Sequence, residues 1–382
     1  MIEYTKEKLL RVAKRFNNKK RTYLLVNPLQ AKHLPVAPSV SMEMMRCLGE
    51  QLAFKYPNTK LIIGFAETAT AIGAVVAECF GDDCVYVHTT RETFENDTQA
   101  ISFQEEHSHA VEQMLYGGKL DEWLAQTDTV LFVEDEISTG KTMINIVNGL
   151  KERYPALREK QLAAASLLNR VSDENAARME ANGIVCEYLV KLPEENYTEM
   201  VADISVTEAP AVAAENRSFA HNTLACDGLM NPRMGVKVGT YKENTAAFAD
   251  TVCRACEVLL AQARSVLVLG TEECMYPALK VGYAFEQLHK GLAVSCHATT
   301  RSPIGVSQAE DYPVTAGCKL PGFYDAARTT YLYNLKQYDL VFIVSDTRGE
   351  FHPALCALAS AFAEQGSEKI YLIQGDGNVW YV

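Results

Sequence analysis

An α/β protein of two units is what the sequence predicts, and three observations carry the prediction. The chain has 382 residues, which at about 150 residues per domain points to two domains. Its first half repeatedly sets a short apolar run ahead of a helix-like segment, the pattern of a parallel sheet covered by helices on both faces. After a turn-rich stretch between Pro193 and Gly239 the same alternation resumes.

In chain order, residues 23–26 (YLLV), 60–65 (KLIIGF), 83–88 (DCVYVH) and 129–135 (TVLFVED) read as strands. Residues 69–80 and 142–154 have helical spacing, and 161–170 and 183–192 complete the first set of strands. In the second half, helices are expected over 243–262, 276–290 and 353–364, with strands at 265–270, 292–297, 338–346 and 368–375. The division is expected near the turn-rich stretch, giving domains 1–220 and 221–382.

Composition narrows the function. With 36 basic and 48 acidic residues the formal charge is -12, which argues against general DNA or RNA binding, because backbone neutralisation needs a basic face. No apolar run reaches the length of a membrane span, and the N-terminal residues lack the apolar core of a secretory signal. Eleven cysteines suit a reducing cytoplasm better than a disulfide scaffold. The close pair Cys253 and Cys256 reads as helix thiols, since no second CxxC accompanies it.

The most informative segment is VLFVEDEISTGKTMINIV, residues 130–147. Glu134 and Asp135 end an apolar strand, where carboxylates can hold ribose hydroxyls or a divalent ion. Ser138, Thr139, Gly140, Lys141 and Thr142 then turn into a helix whose N–H groups and hydroxyls can cradle a phosphate. A Walker A loop would need Gly at position 135, where this chain has Asp135. Upstream, Ala66, Glu67, Thr68, Ala69 and Thr70 form a second small-residue turn between strand and helix.

VLFVEDEISTGKT resembles the phosphoribosyl pyrophosphate (PRPP) motif of type I phosphoribosyltransferases, and LIIGFAETATAIG resembles their pyrophosphate loop. The resemblance implies that Glu134 and Asp135 contact the ribose hydroxyls, that residues 138–142 bind the 5-phosphate, and that 66–70 bind pyrophosphate with Mg2+. Glu136 departs from the pattern, standing where most members have an apolar residue. Arg91, placed to neutralise the leaving pyrophosphate, completes the catalytic set. Glu105, Glu106, His107 and His109 fall in the stretch expected to form a mobile hood, and Lys32 and His33 in a turn-rich N-terminal region that in this family selects the nucleobase.

Residues 235–375, with VLVLGTEECMYPALKVG, TRSP at 300–303 and VFIVSDTRGEFHPAL, resemble the TRSP domain that follows a phosphoribosyltransferase in bacterial stress and tellurite-resistance gene clusters. Its Glu272, Glu273, Tyr276, Arg301, Ser302, Asp346 and Arg348 are candidates for ligand contact at strand ends. The whole resemblance implies a phosphoribosyltransferase-like parallel sheet followed by a Rossmann-like α/β domain. The implied enzyme is cytoplasmic, homodimeric and similar to orotate phosphoribosyltransferase, using PRPP, Mg2+ and a small nitrogenous base in making a nucleoside-like or nucleotide-like metabolite, with stress-pathway enzymes as partners. The competing reading is a noncatalytic sensor of a phosphoribosyl ligand or nucleotide. An α/β-hydrolase is disfavoured by the lack of a G-x-S-x-G elbow.

Overall fold

The computed structural model describes residues 3–94, 100–103, 113–347 and 351–382. They fall into two compact units, each drawing on three stretches of chain: 1–6, 43–195 and 230–243 in the first, and 7–42, 196–229 and 244–382 in the second.

The first unit holds a six-stranded sheet in the order Val236–Lys237, Val85–His88, Leu61–Gly64, Thr129–Ile137, Gln161–Asn169, Ile184–Lys191. All neighbours are parallel except the short first strand. The central strands are apolar runs because both faces are covered. Leu61, Ile63, Phe132, Leu162 and Ile184 share a core with Met143, Ile144 and Val147 of the helix Lys141–Arg153. That helix follows the expected period, with its buried residues on one side and polar residues between them.

The second unit holds its own sheet, in the order Ala220–Thr223, Asn378–Tyr381, Ile370–Gln374, Leu340–Ser345, Ser265–Gly270, Ala293–Ala298. Its last four members are parallel. The helix His352–Glu364 buries Leu355, Leu358 and Phe362 against Val341, Ile343 and Leu372. Cys253 and Cys256 are buried thiols, and burial pushes them up to about 12 and about 11 respectively.

The spatial grouping is not the contiguous division expected at 220/221. The strands Arg11–Lys14 and Tyr23–Val26 pair antiparallel, and their Ala13, Leu24 and Val26 pack with Ile304, Tyr312 and Tyr333. Val36 bridges to Cys296 in both directions, at 3.1 and 2.7 Å. Residues 230–243 instead group with the first sheet, where Val236 and Lys237 pair with Tyr86 and Val85. Among the described residues no helix is long and apolar enough to cross a membrane.

Candidate active site

In the first sheet the chain order of the five parallel strands is second, first, third, fourth, fifth. The strands Leu61–Gly64 and Thr129–Ile137 therefore stand at a topological switch point, where connections depart to opposite faces and leave a crevice beyond the carboxyl ends. Both expected phosphate loops follow these two strands.

Pairing between them stops at Gly64 and Val133, closed by the Phe65 N–H donating to the Val133 carbonyl at 3.1 Å. The strand Thr129–Ile137 then runs four residues further, paired only on its other side with Ser166–Asn169. Glu134, Asp135 and Glu136 lie on that overhang, and all three are half-buried. The Glu134 carboxylate accepts a hydrogen bond from the Asp135 N–H at 2.9 Å. Glu136 forms an ion pair with Arg170, 3.3 Å from carboxylate to Nε, with side chains 11% and 21% exposed. The acid that departs from the motif is thereby paired with a cation at the neighbouring strand's end.

The turn from 138 to 142 follows directly. Ser138 is half-buried, and Thr139, Lys141 and Thr142 are exposed. Gly140 is buried in the left-handed region at φ 70° and caps the helix Lys141–Arg153. The exposed N-terminus of this helix, flanked by hydroxyls, is a favourable place for an anion.

The opposite loop is more closed. Ala66, Glu67, Ala69 and Thr70 are buried and Thr68 is half-buried. The Ala66 N–H donates to Thr89 Oγ1 at 2.9 Å, and that hydroxyl donates to Gln113 Oε1 at 2.7 Å. Tyr86 anchors the other end through its hydroxyl to the Thr70 carbonyl, at 2.6 Å. Gly73 makes room for this ring: a Cβ there would lie 2.8 Å from Tyr86. The Ala66 N–H is thus committed to the protein.

Arg91 is half-buried three residues past the strand Val85–His88. The stretch expected to form a hood includes an antiparallel hairpin, Ala100–Phe103 with Gln113–Tyr116. Glu105, Glu106, His107 and His109 lie outside the described residues.

Lys32 and His33 are buried members of the second unit. The Lys32 ammonium donates to the carbonyls of Glu272 and Thr299, each at 2.9 Å. Glu272, Glu273 and Tyr276 are also buried; Arg301, Ser302 and Asp346 are half-buried just beyond strands of the second sheet, and Arg348 lies outside the described residues. Sequence reasoning missed Arg170, Tyr324 and Arg328. The first pairs with Glu136, Tyr324 donates to Asp346, and Arg328 pairs with Glu272. Their only local signal is position, since Arg170 follows one strand and Arg328 precedes another.

The first unit thus has a doubly wound sheet with an acidic strand overhang and a hydroxyl-rich turn at its switch point. Residues 9–192 match the family described as phosphoribosyl transferase, and residues 231–361 match the TRSP domain C-terminal to it. No curated protein matches the chain. Among solved structures, APRTase from Giardia lamblia is 14% identical over 49% of this chain and 96% of its own, with a TM-score of 0.36. Adenine phosphoribosyl transferase from Trypanosoma brucei, in complex with AMP, pyrophosphate and ribose-5-phosphate, is 18% identical over 48% and 77%, with a TM-score of 0.35. Orotate phosphoribosyltransferase from Aeropyrum pernix is 12% identical over 50% and 93%, with a TM-score of 0.29.

Proposed function

We propose that the first unit transfers the 5-phosphoribosyl group of PRPP to a nitrogenous base and releases pyrophosphate. The observation that supports this reading is the switch point itself: Glu134 and Asp135 lie at the end of the strand Thr129–Ile137, and the turn that follows leads within three residues into the helix Lys141–Arg153, so two carboxylates and a helix start adjoin in the chain. Glu134 and Asp135 orient the ribose hydroxyls, and Ser138 through Thr142 hold the 5-phosphate.

Among the described residues no three metal-ligating side chains converge; Glu134 and Asp135 supply two half-buried carboxylates at the strand end. That set fits Mg2+, which keeps several waters and takes one or two carboxylates together with substrate phosphates. Bound with PRPP, the ion supplies charge neutralisation on the departing pyrophosphate. Arg91, three residues past the strand Val85–His88, supplies positive charge to the departing pyrophosphate.

Positive charge grows at C1 and the ring oxygen as the bond to pyrophosphate breaks, and the base nitrogen supplies the electron pair of the new bond. The carboxylates hold the sugar so that the base approaches one face of C1, a contribution of positioning rather than of proton transfer.

The test is pyrophosphate release from PRPP and Mg2+ across a panel of purine and pyrimidine bases, with the ribosylated product identified by mass spectrometry. Base-dependent release supports transfer. Saturable PRPP binding without release for any base favours a sensor, and absence of binding removes the reading altogether.

A further inference from the structure

The second unit has a switch point of its own. Its parallel strands run Ile370–Gln374, Leu340–Ser345, Ser265–Gly270, Ala293–Ala298, so connections diverge after Ser265–Gly270 and Leu340–Ser345. An ion cluster occupies the carboxyl ends of these strands. Glu272, two residues past Gly270, is fully buried. Its Oε2 accepts from Arg301 Nε and Nη2, each at 2.7 Å, and from Arg328 Nη1 at 3.2 Å. Its Oε1 accepts from the Phe323 N–H at 3.2 Å, its own N–H donates to Thr299 Oγ1 at 2.9 Å, and its carbonyl accepts from Lys32.

The cluster is graded from floor to rim. The Glu272 side chain is 0% exposed, that of Arg301 11% and that of Arg328 20%. Two guanidiniums thus converge on one buried carboxylate. Burying a carboxylate is costly even when it is well paired. Here its bonds fix two guanidiniums that lie 29 and 56 residues away in sequence, at the place where open α/β sheets bind ligands. Across the switch point, Tyr324 donates to Asp346, and Thr347 Oγ1 donates to the Phe323 carbonyl at 3.2 Å. The turn at 322–324 therefore ties both strand ends together.

We propose that this crevice binds the oxyanion group, phosphate or carboxylate, of a small metabolite, with Arg301 and Arg328 contacting it and Glu272 as the buried residue that positions both. Planar guanidiniums held in fixed orientation suit paired oxygen acceptors. The inference goes beyond phosphoribosyl transfer and does not depend on it, because every residue it uses belongs to the second unit.

The test follows the Arg301 and Arg328 Nε–H resonances of the full chain by nuclear magnetic resonance, assigned with Arg301→Lys and Arg328→Lys. Ribose 5-phosphate and succinate serve as the phosphate and carboxylate probes. A saturable shift of both resonances with either probe is the expected result, and the probe that produces it identifies the group. Because the readout is local, binding at the phosphate loop of the first unit does not mimic it, and failure of phosphoribosyl transfer leaves it unchanged. Glu272→Gln is expected to weaken the apparent affinity by about tenfold or more, the loss of a charged contact. Should that variant fail to fold, Arg328→Gln at the more exposed rim is expected to weaken the shift of Arg301 by a similar factor. Resonances that stay fixed with both probes, or undiminished binding by Arg328→Gln, would overturn the proposal.

Discussion

Gly140 and Met179 approach so closely that a Cβ on the glycine would lie 2.2 Å from the methionine sulfur. Met179 is fully buried on the helix Asp173–Ala181, so the phosphate-type loop rests directly on a core side chain. Gly140→Ala meets two obstacles, the positive φ and the sulfur. A loss of about 1–3 kcal/mol is expected, and PRPP affinity should fall more than that of a loop-surface variant such as Thr139→Ala. Urea unfolding together with calorimetric binding checks both.

Glu136 and Arg170 make a second prediction. Replacing Glu136 with Gln removes the charge of its ion pair with the half-buried Arg170, and a loss on the order of 1–3 kcal/mol is expected. Glu136→Gln combined with Arg170→Met should recover part of that loss. Chemical denaturation of the two singles and the double gives the coupling, and purely additive losses would show that the pair does not compensate Glu136.

His297 predicts a pH dependence in the second unit. It is buried on the strand Ala293–Ala298, and burial, reinforced by the charge of Lys32, pushes its imidazolium down to about 4. The unfolded chain titrates near the ordinary value of 6.5, so between these values the unfolded state binds more protons than the folded one. Stability therefore rises with pH across that window and is fully present above 6.5. At 1.36 kcal/mol per pKa unit the span is on the order of 3 kcal/mol. Unfolding free energies at pH 7 and pH 5 should differ less in His297→Gln than in the parent, and an identical pH slope would refute the assignment.

Thr142 and Asp135 separate the two halves of the ribose phosphate. Thr142 is exposed at the helix start, and Thr142→Val should weaken PRPP by roughly 1.5–3 kcal/mol, more than tenfold, with little change in folding. The same variant should affect free ribose much less, since ribose lacks the phosphate. Competition binding with ribose and ribose 5-phosphate distinguishes the two.

The acidic overhang and its loop were legible in sequence because they are local: an apolar run, two acids and a hydroxyl-rich turn lie within thirteen residues. The central parallel strands were legible for the same reason, Leu61–Gly64, residues 129–133 and Leu340–Ser345 being buried on both faces. The expected helix over 243–262 runs from Val238 instead, and the helix Pro38–Lys55 was not anticipated, although its MEMMRCLGEQL has helical spacing. The grouping of 7–42 with the C-terminal sheet left no sequence trace, since it rests on contacts such as Val36 with Cys296, made across most of the chain. The partners of Glu272 were equally hidden, because a buried ion cluster has no periodicity. Arg301 stands out by its position after a strand, while Arg328, bound to the same oxygen, opens RTTYLYNL at 328–335, a segment that resembles the TRSP domain but does not by itself single out the arginine.

The central claim is that the switch point of the first unit holds PRPP through the acids at 134–135. Calorimetric titration of PRPP into the parent and into Asp135→Asn, each with and without Mg2+, tests it most directly. The expected result is saturable binding by the parent, strengthened by Mg2+, with that strengthening reduced in the correctly folded variant. Absence of saturable binding by the folded parent, or identical titrations for parent and Asp135→Asn, would contradict the claim.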